Sequence, residues 1–401
     1  MSEAALPAER YPRFSSAEYL RRYAAVRADM KAKGLEALIV WGTSIGNGEP
    51  NGAMNMASAY YLSNYSDLFF EYVLLPLEGQ PILFVSPWSE LSAVRQWSVI
   101  DDIRPLPLKG VAPIVDALLS IGLDKARIGI VGGIRGKMSL PIEHQAELKA
   151  AFLAAHFQDA HEILDRRRAI KSAEELDWLR RGCRLTDDCF LAISKHARPG
   201  LKDYELRSHI IDAVMREGGM LHIEFCAATP MAEPLLPFPL MHKSERVIKL
   251  GDVILTEISA GYYGYSGQQQ RPFAVGMPPT DRYRRAFDFA CEMFHEVCAA
   301  LRPGVTSAQI WTIYDKMKAN GFTNYGPLLH GWGMGMDVPV IGSHGGKRLL
   351  DFVFEEGMTV IVQPNPVFEG TDCGVFLGNM VQITTDGAKS MSGLPLKFVQ
   401  I

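Results

Sequence analysis

Short apolar runs alternate with amphipathic helical stretches along the first part of the chain. Ser15 and Glu18 form a capping-box pattern, which predicts a helix that ends near Gly34. The apolar runs are aliphatic or β-branched and are bounded by turn residues, and they lie at 36–40, 72–77, 81–85 and 128–131. This alternation predicts an α/β domain in which helices cover a sheet.

The pattern changes near residue 166, where long helical periods precede most of the strands. Ser172 and Glu175 form a second capping box, and helical spacing of apolar residues covers 173–194, 203–217 and 281–301. Strand patterns follow at 252–258, 272–276, 358–363 and 375–383. Because these strands do not strictly alternate with helices, we expect an α+β domain with a curved, largely antiparallel sheet. The predicted domains are 1–165 and 166–401.

Composition narrows the possible partners and location. The chain has 401 residues, 48% of them hydrophobic, and a formal net charge of -4. With no long basic block, binding to nucleic acid or to an anionic membrane is not expected. The N-terminal residues lack the apolar core of a signal peptide, so a cytoplasmic location is predicted. The six cysteines contain no CxxC pair, which predicts buried free thiols.

Four short segments that contain glycine follow one another in a definite order through the second domain. They are Gly251-Asp252, then Gly264-Tyr265 before Arg271, then His330-Gly331-Trp332-Gly333 leading to Pro339, and Gly357-Met358 before Pro364. This series resembles the pita-bread fold of creatinase, prolidase, aminopeptidase P and methionine aminopeptidase. The first domain and its connection are similar to the creatinase-type N-terminal domain, so the resemblance covers nearly the whole chain.

The resemblance implies five positions for the ligands of a pair of divalent metals in the metal-binding members. Those members use two aspartates, one histidine and two glutamates, and this chain has Glu257, Gln268, His330, Gln363 and Gly378 there. Divalent ions require anionic or imidazole ligands, and two neighbouring ions require bridging carboxylates. We therefore expect no metal, no other cofactor and no peptidase activity.

Three hypotheses for the protein's function follow. The first is a metal-independent C–N hydrolase like creatinase, and the second is a C–C or C–O lyase that also works by acid/base chemistry. The third is a non-catalytic binding scaffold that kept the fold. For the enzyme hypotheses, the predicted catalytic residues are His242, Glu257 and His330, and the predicted substrate-binding residues are Gln268, Gln270, Gln363, Arg271, Tyr265 and Trp332.

The chemistry of these residues leaves structural alternatives open. Glu257 shares a strand face with Val253 and Leu255, so desolvation is expected to raise its pKa, unless the carboxylate is ion-paired to a neighbour such as Arg271. His330 lies in a glycine-rich turn that favours a site, although a histidine in the core is the alternative. Neutral amides and aromatics favour a small uncharged or aromatic substrate.

The resemblance also implies a homodimer in which the N-terminal domain contributes to the partner's active site. The candidate residues for that contribution are Trp41 and the stretch from Tyr60-Tyr61 to Phe69-Phe70.

Overall fold

A computed structural model describes residues 11–43, 57–132, 140–342 and 348–401. The chain divides into two compact units, Met1–Arg168 and Ala169–Ile401. The N-terminal residues used to predict the location of the protein fall largely outside the described residues. No helix in the described part of the chain is long and apolar enough to cross a bilayer.

The first unit is built on a six-stranded sheet, to which the four predicted apolar runs contribute four of the strands. The strand order is β4-β3-β2-β1-β5-β6, and it mixes parallel and antiparallel pairs. The strands are β1 (Ala37–Gly42), β2 (Glu71–Pro76), β3 (Ile82–Val85), β4 (Asp102–Pro105), β5 (Arg127–Val131) and β6 (His156–Asp159). The helices are α1 (Ser16–Ala32), α2 (Ser58–Ser63), α3 (Leu91–Trp97), α4 (Ala112–Ser120), α5 (Ile142–Ala151) and α6 (His161–Ala169).

The predicted N-caps of the long helices form as expected. Ser15 accepts a hydrogen bond from the Glu18 N–H, and Ser172 and Glu175 complete a reciprocal capping box. The helices of the second unit are α7 (Ala173–His196), α8 (Asp203–Arg216), α9 (Asp281–Ala300), α10 (Ser307–Tyr314) and α11 (Lys316–Ala319).

The second unit carries an eleven-stranded, almost entirely antiparallel sheet. Its central path is β14-β13-β15-β17-β10-β8-β11-β19, with β7 and β9 paired to β8 and β18 paired to β17. Two further strands of the unit, β12 (Phe322–Asn324) and β16 (Pro366–Phe368), pair with each other in a separate sheet. The strands of the large sheet are β7 (Met220–Pro230), β8 (Asp252–Tyr262), β9 (Tyr265–Ser266), β10 (Gln269–Gln270), β11 (Phe273–Ala274), β13 (Leu329–Trp332), β14 (Met336–Ile341), β15 (Thr359–Val362), β17 (Gly378–Thr384), β18 (Gly387–Ser390) and β19 (Val399–Gln400). The prediction of an α/β domain followed by an α+β domain with a largely antiparallel sheet is confirmed.

Two apolar clusters hold helices against this sheet. Residues of α7 and α8 pack on Ile254 and Ile258 of β8. Residues of α9 and α10 join a second cluster that includes Val253 and Leu255 of the same strand. Both faces of β8 are therefore buried along its first half, and Glu257 continues the face that begins with Val253 and Leu255.

Candidate functional site

Glu257 lies in the middle of β8, between two strands that bring polar and aromatic side chains to it. On one side Phe225 of β7 is its direct partner in the antiparallel register. On the other side Gln269 of β10 pairs with Ile258, which places Gln270 opposite Glu257. Residues directly opposite on neighbouring antiparallel strands project to the same face. The arrangement therefore groups Phe225, Glu257 and Gln270 on one face of the sheet.

The Glu257 carboxyl is surrounded by amide groups. Gln268 Nε2 donates to Glu257 Oε1 at 2.5 Å. The side chain is partly exposed, yet protein atoms surround the carboxyl, and desolvation raises the pKa of Glu257 to about 7. Hydrogen bonds from Gln270 and Gln268 oppose this rise without cancelling it. The predicted rise in the pKa of Glu257 thus has the physical cause expected from the sequence.

A directed chain of hydrogen bonds fixes the orientation of the next two amides. The Pro327 carbonyl can only accept, and Gln363 Nε2 donates to it at 3.0 Å. Gln363 Oε1 in turn accepts from Gln270 Nε2 at 2.6 Å. The carbonyl oxygens of Gln270 and Gln268 are then left buried without a hydrogen-bond partner among the described residues. A ligand that brings N–H or O–H groups to this site would meet acceptors.

Gly378 of β17 is required by the position of Gln270. An ideal Cβ at position 378 would lie 2.4 Å from Gln270 Oε1, 2.7 Å from the Val362 carbonyl oxygen and 2.9 Å from Gln363 Cβ. Two of these neighbouring atoms belong to the hydrogen-bonded amides and the third belongs to the backbone, so none of them can move aside easily. The space that a side chain at 378 would enter is already filled by an amide oxygen.

Replacing Gly378 with alanine is therefore expected to destabilise the fold by about 1–3 kcal/mol, because an added methyl group must displace buried atoms. Urea denaturation of the two proteins measures the difference. The matched control is Gln382→Ala, a partly exposed position on the same strand, which is expected to change the free energy of unfolding by less than about 0.5 kcal/mol. Equal midpoints for wild type and Gly378→Ala would contradict this close packing.

His330 lies on the same sheet face as the amide cluster, by which we mean Gln268, Gln270 and Gln363 around Glu257, but it belongs to another strand. It pairs with Ile361 of β15, and Ile361 pairs with Met380 of β17, two residues from Gly378. His330 is buried, and its Nδ1 lies 2.9 Å from the Gly331 carbonyl oxygen. Its ring packs edge-on against the Trp332 ring, with the two ring centroids 5.5 Å apart. A carbonyl only accepts, so Nδ1 carries the proton, and Nε2 is an acceptor in the neutral ring.

The other predicted site residues have different surroundings. His242 is exposed in the loop between β7 and β8, and its carbonyl accepts from Arg207 at 3.3 Å. Tyr265 donates to Glu175 at 2.9 Å, and Trp332 Nε1 donates to Ser266 at 3.1 Å. None of these hydrogen bonds involves the Glu257 carboxyl, so a direct role of these groups in the chemistry stays a prediction.

Arg271 uses its guanidinium within the protein. Its N–H groups donate to four backbone carbonyls and to Asn379 Oδ1, which accounts for all five donors of an arginine. Burial lowers the pKa of Arg271 to about 10. The hydrogen bonds of Arg271 thus go to Gln270, Gly378, Asn379, Leu394 and Pro395, and none goes to Glu257.

Sequence reasoning missed three features around the site. The strand β7, which supplies Phe225, was not predicted, although Leu221, Ile223 and Phe225 alternate with polar residues. A buried ion pair between Lys171 and Asp337 lies beside the His330 hairpin. The Pro327 carbonyl, which orients the amides, has no signature in a sequence.

The five positions that align with metal ligands do not form a ligand set for two ions. Glu257 and His330 are suitable donors, Gln268 and Gln363 are neutral amides engaged with other groups, and Gly378 has no side chain. Among the described residues, no group of three or more His, Cys, Asp or Glu side chains is placed to hold a metal ion. A dinuclear centre needs several carboxylates to bridge and neutralise its charge. The residues present do not fit such a centre.

Comparisons with known proteins show the family to which both domains correspond. Residues 22–170 match the model of the creatinase/prolidase N-terminal domain, and residues 177–385 match the model of metallopeptidase family M24. A probable dipeptidase PepE of Mycobacterium bovis is 25% identical over 399 residues, covering 97% of this chain and 98% of that protein. An Xaa-Pro dipeptidase of Pyrococcus horikoshii is 21% identical over 345 residues, covering 84% of this chain and 90% of that protein.

Solved structures confirm the fold over almost the whole chain. Dipeptidase PepE from Mycobacterium ulcerans superposes with a TM-score of 0.78 at 22% identity, covering 97% of this chain and 99% of that one. The prolidase from Pyrococcus horikoshii gives a TM-score of 0.74 at 19% identity, covering 95% and 99%. At this level of identity the likeness establishes the fold and no more.

The relatives correct the predicted function. We expected a metal-independent hydrolase or lyase that is not a peptidase, whereas these relatives and structural neighbours are named dipeptidases and prolidases. The binding-scaffold alternative is not favoured by them either. Missing carboxylates indicate which ions a site can bind, but they do not identify the bond that is cleaved, and that step of the prediction was wrong.

The M24 model covers 209 of the 401 residues, and the N-terminal model covers most of the remainder. The chain therefore belongs to metallopeptidase family M24, within the creatinase, aminopeptidase P and prolidase superfamily.

Proposed function

We propose that this protein hydrolyses the peptide bond of small peptides of about dipeptide size, with Glu257 as the proton-transferring group. The observation that carries the proposal is a partly exposed glutamate whose carboxyl lies among the amides of Gln268 and Gln270 and whose pKa is raised to about 7. A group with a pKa near the working pH can both accept and return a proton during one turnover. The named activities of the relatives support the choice of bond.

The proposed reaction uses one water molecule. Ionised Glu257 accepts a proton from that water molecule while the oxygen of the water attacks the carbonyl carbon of the peptide bond. The same carboxyl then gives the proton to the departing nitrogen as the C–N bond breaks, and the products are a carboxylic acid and an amine. Gln268 donates to Glu257 Oε1 and holds the carboxylate in place.

The remaining polar groups have proposed roles in positioning. The amide oxygens of Gln268 and Gln270, which have no hydrogen-bond partner within the described ranges of the chain, are suited to accept N–H groups of the substrate. His330, on the same sheet face, is proposed to act through its Nε2 atom. We also propose that five residues shape the surroundings of the substrate, either by contacting it or by holding the strands around it: His242, Tyr265, Trp332, Gln363 and Arg271.

Release of free amino acids from a panel of dipeptides tests this function. The panel contains glycylglycine, alanylalanine, leucylglycine and alanylproline, and each is assayed after dialysis against a chelator and again with added Mn²⁺ or Zn²⁺. Hydrolysis of at least one dipeptide, with oxygen from labelled water in the new carboxyl group, is expected. If no member of the panel is cleaved under any of these conditions, the proposed function is wrong.

We further propose a cytoplasmic homodimer. All six cysteines are free, as is typical of proteins in a reducing compartment. Among the residues considered for contact with a partner, Tyr60 and Tyr61 are buried within their own unit, whereas Phe69 is 48% exposed and adjoins the exposed Leu68. Phe69 is therefore the better candidate for such a contact. Sedimentation of wild type and Phe69→Asp would test the dimer.

A further inference from the structure

We propose that Phe238, Tyr325 and Phe376 form a substrate subsite that binds a flat or bulky apolar side chain next to the Glu257 amide cluster. We call these three residues the aromatic wall. The proposal deepens the proposed function, on which it rests, by naming a class of substrate: small peptides that carry an aromatic or branched aliphatic side chain.

The three rings form one contiguous apolar surface. Phe238 and Tyr325 stack with their ring centroids 4.3 Å apart and their planes at 21°. Phe376 lies 5.7 Å from the Phe238 ring and 6.2 Å from the Tyr325 ring. Phe376 is buried beneath the other two rings, whereas Tyr325 is 39% exposed and Phe238 is partly exposed. An aromatic stack that is open on one side offers a ring face to a ligand.

The wall lies on the same side of the sheet as Gly378 and the amides. Val375 and Leu377 point into the core cluster packed by α9 and α10, whereas Phe376 between them contacts Phe238 and Tyr325. Because side chains alternate along an extended chain, Phe376 shares its face with position 378. Gln363, whose Cβ would lie 2.9 Å from a Cβ at position 378, thus adjoins this face two residues along the chain from Phe376.

The loop that carries Tyr325 also links the aromatic wall to the amide of Gln363. Pro327, two residues after Tyr325, is the acceptor that orients Gln363, and an ideal Cβ at Gly326 would lie 4.0 Å from Gln363 Nε2. Tyr325 and the amide chain are therefore parts of one local structure. A substrate whose peptide bond lies at Glu257 has the wall as its neighbour on the side of Gln363.

Buried Asn365 holds this loop to the strand of the site. Its side chain donates to the Tyr325 carbonyl at 3.2 Å and accepts from the Leu377 N–H at 3.3 Å, and its backbone N–H donates to Asn324 Oδ1 at 2.9 Å. The Tyr325 N–H donates to the Asn365 carbonyl at 3.1 Å. Tyr325 and Phe376 are thus tied to one residue, which keeps the wall preformed rather than assembled on binding.

The test compares glycylglycine with phenylalanylglycine and glycylphenylalanine. In the wild type, KM for one of the two phenylalanine dipeptides is expected to be about tenfold lower than KM for glycylglycine, an effect of the size found for aromatic contacts. Tyr325→Ala and Phe238→Ala are expected to raise KM for that phenylalanine dipeptide about tenfold, to the level of glycylglycine, and so to remove the preference. Tyr325→Phe, which keeps the ring, is expected to retain the preference.

Tyr204→Ala is the matched control, because Tyr204 on α8 is also 39% exposed, and it is expected to leave the preference intact. A wild type that hydrolyses all three dipeptides without preference, or a preference unchanged in both alanine variants, would overturn the wall and leave the proposed function standing. If nothing is hydrolysed, calorimetric binding of the same dipeptides decides. Tighter binding of a phenylalanine dipeptide that is lost in Tyr325→Ala supports the wall, and equal binding overturns it.

Discussion

Replacing Glu257 with glutamine is expected to lower kcat/KM for dipeptide hydrolysis by about 10²–10⁴-fold, the contribution typical of a positioned general base. The substitution keeps the size and the hydrogen-bonding shape of the side chain but removes its ability to take a proton. The protein should remain folded, because an uncharged amide is accommodated more easily than a carboxylate among Gln268, Gln270 and Phe225. Steady-state kinetics measures the loss.

Glu224→Gln provides a matched control for the same chemical change. Glu224 lies one residue before Phe225 on the neighbouring strand, and desolvation raises its pKa to about 7 as well. It pairs with Ile258, however, and therefore points to the opposite face of the sheet, where α7 and α8 pack. Glu224→Gln is expected to retain wild-type kinetics. Equal losses in both variants would show that a raised pKa alone, and not position, explained the result.

The pH dependence has a definite sign. Glu257 acts as a base only when ionised, so kcat/KM should rise with pH and reach half of its plateau near pH 7, the value to which burial raises this pKa. Below that point the rate should fall about tenfold for each pH unit. A half-point near 4.5, the ordinary value for a glutamate, would mean that the carboxyl is solvated in the working enzyme.

Replacing Lys171 with methionine is expected to cost about 3–5 kcal/mol of stability, because it leaves a buried aspartate without its cation. Lys171 Nζ lies 2.8 Å from Asp337 Oδ2, and both side chains are only 1% exposed. Asp337 faces Gly331 in the β13–β14 register, beside the irregularity that follows His330. Loss of the pair should therefore also disturb the hairpin that positions His330. Chemical denaturation measures the change in the free energy of unfolding.

Two companion variants separate the ion pair from other effects of the substitution. Combining Lys171→Met with Asp337→Leu should recover most of the loss, since apolar replacements of whole buried pairs are often close to neutral. Lys389→Met breaks a pair with Asp386 in which both side chains are largely exposed, and it should cost less than about 0.5 kcal/mol. A Lys171→Met protein as stable as the wild type would show that Asp337 does not depend on this partner.

The fold was predictable because its signals are local. The capping residues Ser15 and Ser172, and the apolar runs that became β1 and β8, each specify structure within a few neighbouring residues. The strand β7 was missed because its local signal is only a short alternation of Leu221, Ile223 and Phe225 with polar residues, which is too brief to distinguish a strand from a loop. Strand β14 was likewise not predicted, and its pairing with β13 joins segments separated by a glycine-rich turn.

The site was predictable only in part. The position of Glu257 on an apolar strand face was sufficient to predict the direction of its pKa shift. The alternative that Glu257 pairs with Arg271 fails among the described contacts, because the Arg271 guanidinium donates to four backbone carbonyls and to Asn379 Oδ1. Contacts such as Gln363 with Pro327 depend on tertiary structure, and residue types alone do not reveal them. The kind of bond that the protein cleaves was inferred from the absence of metal-binding carboxylates, and the names of the relatives corrected that inference.

The close approach of Gln270 to Gly378 also constrains how this protein can change over evolutionary time. A carboxylate at position 378 cannot be introduced by one substitution without rearrangement, since any side chain there would meet the Gln270 oxygen and the Val362 backbone. Gln270 would first have to become smaller, which would release Gln363 from its partner before any new contact existed. Any route to an acidic residue at 378 thus passes through a variant that has lost the contact between Gln270 and Gln363 and has not yet gained a new one.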